Sequence, residues 1–277
     1  MADVAGSRID QPPPPPPLGA GEARPQRLVF GEDAELYDRA RPAYPVELVD
    51  ELIDMAGGVP LTAVDVGCGT GKATVLLAAR GVRGVGVEPD PAMAAIARRN
   101  LAPFPGWLID QVSFERFIGP SVGVDLVVSA QAWHWLTPGV RVERAWEVLR
   151  PGGWLALWWN RSPRGTDDGL RAELDECYRA HAPQLAAREP GDKGRPPTDE
   201  LSERTPFGPA VERAYHWSAR FTSREYCDLL ETQSDHRLLE AGVRARLFDA
   251  ITAALDARGG GIELPYRTEL WAVRRPA

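Results

Sequence analysis

Hydrophobic residues in the middle of the chain fall into two kinds of pattern. Along Val46–Ala56 the apolar residues recur at helical spacing, which favours an amphipathic helix. Thr62–Val66 and Asp125–Ala130 are instead short, largely continuous apolar runs, typical of strands buried on both faces. Strands of this kind separated by helices predict an α/β fold with a mainly parallel sheet covered by helices on both sides.

The same patterns predict the other elements. Helices are expected at Glu32–Ala40, Val46–Ala56, Lys72–Arg80, Pro91–Asn100, Val140–Leu149, Gly169–His181, Thr222–Thr232 and Leu239–Arg258. Strands are expected at Thr62–Val66, Val82–Glu88, Trp107–Val112, Asp125–Ala130, Trp154–Trp159, Val211–Phe221 and Leu264–Arg274. Thr222 and Glu225 have the spacing of a capping box, which marks the start of a helix.

Two segments lack such patterns. Residues 1–27 contain six consecutive prolines, which favour polyproline II, so we expect a disordered tail or, alternatively, a ligand for a proline-recognising partner. Residues 182–206 form a long connection rich in proline, glycine and charge. Long loops in compact domains are usually lids, binding loops or disordered segments. We therefore expect one domain over residues 28–277, with a lid or substrate insertion at 160–210.

Composition narrows the functional classes. The chain has 277 residues, a formal net charge of -7 and three cysteines. The acidic balance argues against nucleic-acid and anionic-membrane partners. No apolar stretch is long enough for a transmembrane helix. An odd number of widely spaced cysteines predicts neither a disulfide framework nor a zinc site, and it favours a reducing cytoplasm.

The strongest chemical signal is the run Val64–Gly71, Val-Asp-Val-Gly-Cys-Gly-Thr-Gly. A strand leads into glycines that let the backbone approach a ligand closely, and a helix N-terminus follows. Two classes of cofactor compete for such a turn, a dinucleotide and a ligand with a cationic centre. A dinucleotide site would have glycine where Lys72 stands. The acidic Asp65 would repel a pyrophosphate, whereas it suits a cationic ligand.

These residues resemble those of the class I S-adenosylmethionine-dependent methyltransferases. The glycine run matches the first motif of that class, Glu88-Pro89-Asp90 its acidic second-strand end, and Leu149–Leu155 its fifth-strand signature. The resemblance covers residues 30 to 275 and extends to small-molecule enzymes similar to trans-aconitate methyltransferase. Motifs of that branch are Tyr37–Pro45, Ser113-Phe114-Glu115 and Gln131–Trp135. It implies a Rossmann-like, seven-stranded, mostly parallel sheet with an antiparallel C-terminal strand.

The resemblance also implies a set of cofactor-binding residues. They are Tyr37, Arg41, Asp65, Gly67, Cys68, Gly69, Gly71, Glu88, Pro89, Met93, Ser113, Phe114, Glu115, Ala130 and Gln131. Glu88 is placed to accept hydrogen bonds from a ribose diol. Asp65 would hold the cofactor's amino group or order the glycine loop, and Arg41 would grip its carboxylate. Many members carry an aspartate where Ser113 stands, so backbone groups or Glu115 are expected to replace it at the adenine.

Most candidates for the acceptor side follow the fourth and fifth strands. They are Trp133, His134, Trp135 and Asn160, and Tyr44, which precedes the first strand, is a further candidate. His134 is the candidate catalytic residue because an imidazole can take a proton from the acceptor. Trp133 and Trp135 would form an aromatic wall beside the sulfonium. Each of these side chains could instead serve packing alone.

The expected function is methyl transfer from S-adenosylmethionine to an O, N or carboxylate nucleophile of a small molecule, with no metal. We expect a cytoplasmic monomer or homodimer that binds neither nucleic acid nor membrane. One alternative is a protein that binds the cofactor without transferring a methyl group, as a cyclase, scaffold or regulator. Another is a nicotinamide-dependent oxidoreductase. Methylation of RNA or protein is a weaker possibility, because no acceptor motif of that kind is present.

Overall fold

A seven-stranded sheet organises the computed structural model, which describes residues 30–162, 168–186, 200–201 and 207–277. The strands are β1 (Thr62–Val66), β2 (Arg83–Val87), β3 (Trp107–Asp110), β4 (Val124–Ala130), β5 (Leu149–Arg161), β6 (Val211–Thr222) and β7 (Gly261–Arg274). Their spatial order is β3-β2-β1-β4-β5-β7-β6. β1 to β5 pair in parallel, and β7 runs antiparallel to both β5 and β6. The expected mostly parallel sheet with an antiparallel C-terminal strand is therefore confirmed.

Helices surround this sheet. They are α1 (Ala34–Ala40), α2 (Val46–Met55), α3 (Lys72–Ala78), α4 (Pro91–Leu101), α5 (Val140–Val148), α6 (Asp168–His181), α7 (Pro183–Ala186), α8 (Ser223–Glu231), α9 (Ser234–Arg237) and α10 (Ala241–Asp256). Single 3₁₀ turns lie at Phe30–Asp33, Phe114–Arg116 and Trp133–Trp135. The capping box predicted at Thr222 is present, because its hydroxyl accepts from the Glu225 N–H and the Glu225 carboxylate accepts from the Thr222 N–H.

The central strands are buried on both faces, as their continuous apolar runs predict. Ala63 and Leu126 belong to one hydrophobic cluster, which also includes residues of α2 and α3. Their neighbours along the strands, Val64 and Val127, belong to a second cluster that includes residues of α5. This alternation follows from the two-residue period of a strand, and it requires helices on both sides of the sheet.

A third hydrophobic cluster lies at the β6–β7 edge of the sheet, away from the central strands. It includes Ile262, Leu264 and Tyr266 of β7, together with apolar residues of α6, α8 and α10. The pairing of β6 with β7 extends along twelve residue pairs, from Val211 to Thr222. The long ribbon thus gives the C-terminal helices and α6 a common apolar surface.

Two regions differ most clearly from the expected elements. β5 begins at Leu149 rather than Trp154, because the Pro-Gly-Gly sequence does not end the pairing. The Pro-Gly-Gly residues lie at a register shift between β5 and β4, opposite Val124 and Leu126. Gly152 has a positive φ of +82° there. The helix expected at Leu239–Arg258 begins at Ala241 as α10, because Glu240 caps it by accepting from the N–H groups of Gly242 and Val243. The short helix α9 at Ser234–Arg237 was not expected.

The tail expected at residues 1–27 lies outside the described residues, as does most of the connection at 182–206. The limits of an insertion at 160–210 stay a prediction. In the part of the chain that the structure describes, no helix has the length and apolar character that crossing a bilayer requires.

Leu126→Ala tests the importance of the central strands. Leu126 is completely buried in β4, so its replacement should lower the free energy of unfolding by about 2–5 kcal/mol through lost burial and the cavity left behind. Leu108→Ala in β3 is the matched control, because this leucine is 69% exposed and its loss should change stability by less than about 0.5 kcal/mol. Equal effects of the two substitutions in urea titrations would contradict this core.

Candidate functional site

The turn between β1 and α3 brings the backbone against the ends of the neighbouring strands. Gly67, Gly69 and Gly71 all have positive φ, at +66°, +57° and +88°. The Gly67 N–H donates to the Val87 carbonyl at the end of β2, with N and O 2.8 Å apart. A Cβ added to Gly67 would lie 2.5 Å from the Ala132 Cβ. Glycine is therefore required there both by the left-handed backbone and by the close approach of the loop after β4.

Glu88 lies directly after β2 and connects two loops. One carboxylate oxygen accepts from the Gly69 N–H and the other from the Asp90 N–H, each across 2.9 Å. Only 8% of Glu88 is exposed, and this burial raises its pKa to about 7, although the two hydrogen bonds oppose the shift. Glu88 also lines the large cavity described below. The carboxylate is thus held rigidly at the position from which a ribose diol could be bound.

Asp65 is a second buried carboxylate, located near the end of β1. Its Oδ2 accepts from the Thr74 hydroxyl on α3, across 2.6 Å. Among the described residues no hydrogen-bond partner reaches its buried Oδ1. Burial raises the pKa of Asp65 to about 7; the Thr74 hydrogen bond opposes this shift and the nearby charge of Glu88 adds to it. Because buried polar atoms normally have partners, the unpaired Oδ1 indicates a place for a ligand donor.

Helix α1 is fastened to the glycine loop by two side chains that sequence reasoning missed. Lys72 Nζ donates to the Asp38 carbonyl across 2.6 Å. The Asn100 amide donates both to the Asp38 carboxylate and to the Thr70 carbonyl, the latter across 3.0 Å. Lys72, the residue that weakens the dinucleotide motif, therefore holds the N-terminal helix in place. In the sequence these contacts are marked by nothing more than one polar residue on each of two helices, a pattern too common to predict them.

Helix α1 and the segment after it supply three of the expected residues, Tyr37, Arg41 and Tyr44. The Arg41 guanidinium lies over the Tyr37 ring, 5.3 Å from its centroid, and donates to the Thr232 carbonyl across 2.9 Å. Its buried Nε has no hydrogen-bond partner among the described residues. Tyr44 contacts Trp158 edge to face, and burial raises the pKa of its phenol well above the usual value. One edge of Arg41 is thus used within the protein, and Nε is the atom that a ligand anion could still engage.

The loops after β3 and β4 face the glycine loop. Phe114 is buried and stacks on Phe117, and the Glu115 carboxylate accepts from the N–H and hydroxyl of Thr137. Burial alone would raise the pKa of Glu115, but these hydrogen bonds lower it overall.

Gln131, in the loop after β4, has a φ of +59°, and its N–H donates to the Trp158 carbonyl, which anchors this strained turn to β5. Ser113 precedes the 3₁₀ turn and lines the cavity.

His134 and Trp135 lie at the cavity, whereas Trp133 does not. The Trp159 indole N–H donates to His134 Nδ1, with 3.3 Å between the nitrogens. Because an indole nitrogen only donates, a neutral His134 must carry its proton on Nε2 and offer a donor there. Trp133 is 1% exposed and packs in the second hydrophobic cluster beneath the Arg141 guanidinium. The expectation that Trp133 forms a wall of the acceptor site is therefore wrong, since its indole is part of the core.

Asn160 has its amide group committed to the protein. Its Nδ2 donates to the Ala43 carbonyl across 3.0 Å, and its Oδ1 accepts from the Thr268 hydroxyl across 2.6 Å. These bonds tie the end of β5 to the segment before α2 and to β7. Asn160 still lines the cavity, so its geometry fits a positioning role better than direct binding of an acceptor.

These loops surround a cavity of about 1940 Å³ at the carboxyl ends of the parallel strands. Sixteen of the expected site residues line it: Tyr37, Arg41, Tyr44, Gly67, Gly69, Glu88, Pro89, Met93, Ser113, Phe114, Glu115, Ala130, Gln131, His134, Trp135 and Asn160. Asp65, Cys68, Gly71 and the core residue Trp133 do not line it. The cavity is larger than the roughly 300–1,000 Å³ of a usual single-ligand pocket, so it has room for two ligands.

The other part of the cavity wall was not expected. It comes from α6, α8, α9 and the outer part of β7, and includes Tyr178, Tyr226, Asp235, His236 and Tyr266. Sequence reasoning missed these residues because they lie in separate helices with no recognisable spacing. Among the described residues no group of three or more His, Cys, Asp and Glu side chains is arranged to hold a metal ion.

Comparison with known proteins identifies the family. A family model described as a methyltransferase domain matches residues 64–157. An uncharacterized methyltransferase of Mycobacterium tuberculosis is 32% identical over 250 residues, which cover 88% of this chain and 95% of that protein. The chain belongs to the S-adenosylmethionine-dependent methyltransferase family. This membership favours the methyltransferase over the nicotinamide-dependent oxidoreductase.

Two further methyltransferase relatives are similar over different lengths. Trans-aconitate 2-methyltransferase of Deinococcus radiodurans is 36% identical over 95 residues, which are 34% of this chain and 36% of that enzyme. A solved structure from Anaeromyxobacter dehalogenans, designated a candidate type II methyltransferase, superposes with a TM-score of 0.61 at 25% identity. That superposition covers 85% of this chain and 98% of the other, so the similarity extends well beyond the glycine motif.

We predict that cofactor binding by this methyltransferase depends on pH through Glu88. With a pKa of about 7, Glu88 is mostly protonated at pH 6 and mostly ionised at pH 8. Only the carboxylate accepts from both hydroxyls of a ribose, so S-adenosylhomocysteine should bind roughly tenfold more tightly at pH 8 than at pH 6. Isothermal titration calorimetry at the two pH values measures the change.

Glu88→Gln should bind S-adenosylhomocysteine more weakly at pH 8 and with a smaller dependence on pH. Glu47→Gln, on the exposed side of α2, is the matched control and should behave like the unaltered protein. The ribose assignment fails if the Glu88→Gln and Glu47→Gln variants show the same affinity and the same pH dependence.

Gly67→Ala tests the close approach of the glycine loop. The added Cβ would collide with Ala132, so S-adenosylhomocysteine should bind at least roughly tenfold more weakly, because the loop must move. Gly58→Ala, with a φ of +80° and open space around it, controls for the backbone strain alone and should leave binding unchanged. The double variant Gly67→Ala, Ala132→Gly removes the collision and should recover part of the affinity; no recovery would place the defect elsewhere.

Proposed function

We propose that this methyltransferase transfers the methyl group of S-adenosylmethionine to an O, N or carboxylate nucleophile of a small molecule. The observation that carries the proposal is the single cavity in which the glycine loop, Glu88 and the second set of walls meet. One part fits the cofactor and the other is large enough for an acceptor. The net charge of -7 argues against nucleic acid as the acceptor.

The residues on the cofactor side fit S-adenosylmethionine in their chemistry. Glu88 would accept from the ribose hydroxyls while the Gly69 N–H holds the carboxylate in place. Asp65 Oδ1, which lacks a partner among the described residues, would accept from the amino group directly or through water. Arg41 would bind the carboxylate through Nε. Ser113 and Phe114 would border the adenine.

The residues on the acceptor side would mainly position the acceptor rather than act as a strong acid or base. S-adenosylmethionine supplies an activated methyl group on a sulfonium, which an acceptor must approach in line. Walls that exclude water and fix the acceptor can provide much of the acceleration of such a transfer. Trp135, at the cavity, could contact the cationic centre through its ring face. His134, which lines the cavity, would orient the acceptor; its role as a base stays a prediction.

The experiment combines cofactor binding with a search for product. Calorimetry should show binding of S-adenosylmethionine, and release of S-adenosylhomocysteine should accompany methylation when phenols, amines and carboxylic acids are supplied as a panel. Glu88→Ala should weaken cofactor binding and lower product formation at subsaturating cofactor. Absence of cofactor binding contradicts the proposal outright. Binding without product from any acceptor would favour the alternative of a scaffold or regulator.

A further inference from the structure

Tyr266 carries a hydroxyl on the acceptor side of the cavity that the fold itself does not use. The residue lies on β7, is only 7% exposed and lines the cavity. Burial raises the pKa of its phenol to about 12, so the hydroxyl keeps its proton at neutral pH. Among the described residues no group forms a hydrogen bond with this hydroxyl. Because polar groups in such buried positions normally have partners, a bound molecule is the natural partner here.

A chain of contacts holds the Tyr266 ring in place. The ring stacks on the indole of Trp217, with centroids 4.5 Å apart and planes 18° from parallel. The Trp217 indole N–H donates to the Thr268 hydroxyl across 2.8 Å, and this hydroxyl donates to Asn160 Oδ1 across 2.6 Å. Since Asn160 in turn donates to the segment before α2, the chain joins β6, β7 and β5 to that segment. The protein therefore fixes the position of the hydroxyl before any acceptor binds.

The position of Tyr266 relative to the cofactor side follows from the charges near it. The positive charge of Arg41 lowers the pKa of both Tyr44 and Tyr266 against the larger effect of burial, so both phenols lie near the guanidinium. The charge of Asp65 also contributes to the pKa of Tyr44, whereas burial and Arg41 account for the pKa shift of Tyr266. Arg41 itself donates to the Thr232 carbonyl, at the end of α8. Tyr44 is thus the phenol nearer to the glycine loop, and Tyr266 is the phenol on the acceptor side of Arg41.

Apolar side chains lie around Tyr266 on this wall. Leu264, two residues earlier on the same face of β7, is 4% exposed and lines the cavity, as does Leu230 of α8. All three belong to the third hydrophobic cluster. Because successive side chains of a strand point to opposite faces, the ion pair of Arg267 with Glu269 lies on the other face of β7. The wall therefore suits the apolar body of an acceptor, and the Tyr266 hydroxyl is the polar group set into it.

We propose that Tyr266 is a specificity-determining residue, which donates a hydrogen bond to a carbonyl oxygen on the apolar or aromatic body of the methyl acceptor. This inference rests on the proposed function and narrows its acceptor class. A carbonyl oxygen only accepts, so it complements a hydroxyl whose proton has no other partner among the described residues. An analogue without this oxygen would leave the hydroxyl unpaired in an apolar wall, and the site would select against it.

Two probes that differ at one oxygen measure this contact. 4-Hydroxybenzophenone has a ketone between its two rings, and 4-benzylphenol has a methylene group in the same place. Their dissociation constants are measured by isothermal titration calorimetry at pH 6, where both probes keep their phenolic protons. The protein is saturated with S-adenosylhomocysteine, so that no methyl transfer occurs. The unaltered protein should bind the ketone roughly three- to tenfold more tightly than 4-benzylphenol, the effect of one hydrogen bond.

Tyr266→Phe should remove this preference. The dissociation constant of 4-hydroxybenzophenone should rise roughly three- to tenfold, while that of 4-benzylphenol stays unchanged. Because the substitution breaks no hydrogen bond among the described residues, the free energy of unfolding in urea should not fall. Tyr215→Phe is the matched control and should leave both affinities unchanged, since its hydroxyl donates to Glu51 and the residue does not line the cavity.

The outcomes separate this inference from the proposed function. Equal affinity of the unaltered protein for the two probes, binding of neither probe, or equal weakening of both by Tyr266→Phe overturns the inference. S-adenosylhomocysteine should bind equally well to Tyr266→Phe and to the unaltered protein. Weaker cofactor binding by this variant would assign the hydroxyl to the cofactor beside Arg41, which also overturns the inference. Failure of the unaltered protein to bind S-adenosylhomocysteine contradicts the proposed function instead.

Discussion

The hydrogen bond from the Gly69 N–H to the Glu88 carboxylate joins the turn after β1 to the end of β2. Two buried carboxylates, Glu88 and Asp65, lie near the ends of these adjacent parallel strands, and burial raises the pKa of each to about 7. Burying two carboxylates lowers the stability of the folded protein unless hydrogen-bond donors compensate them. Part of this cost is offset by hydrogen bonds from backbone N–H groups to Glu88 and from the Thr74 hydroxyl to Asp65. A ligand with several donors would offset more, which is why the site suits S-adenosylmethionine.

The cavity combines two kinds of architecture, one on its proposed cofactor side and one on its proposed acceptor side. Its cofactor side is built from loops at the carboxyl ends of β1, β2, β3 and β4, the usual binding crevice of an open α/β sheet. Its acceptor side depends on the long β6–β7 ribbon, which extends past the central strands and carries α6 and the C-terminal helices. The hydrogen bond between Tyr178 and His236 connects α6 to α9 across this region. Cofactor and acceptor walls therefore belong to parts of the chain far apart in sequence.

Local patterns were sufficient to bring Glu88, Gly67 and Gly69 to one site. Glu88 could be assigned because it follows a short apolar strand, and Gly67 and Gly69 because a turn between strand and helix needs them. Trp133 could not be distinguished from Trp135 in this way, since both flank His134 and only packing shows that one is in the core. The start of β5 was also missed, because a Pro-Gly-Gly sequence normally ends a strand and only pairing with β4 keeps it in the sheet.

Sequence by itself determined the order of strands and helices, the glycine turn and the family, because each rests on residues close together in the chain. Tertiary structure alone decided which side chains meet. Lys72 reaches Asp38 across a gap of 34 residues, and Tyr178 reaches His236 across 58. Contacts of that range depend on how helices pack on the sheet and have no periodic signature along the chain. The acceptor wall consists almost entirely of such contacts, so its chemistry became visible only in the folded protein.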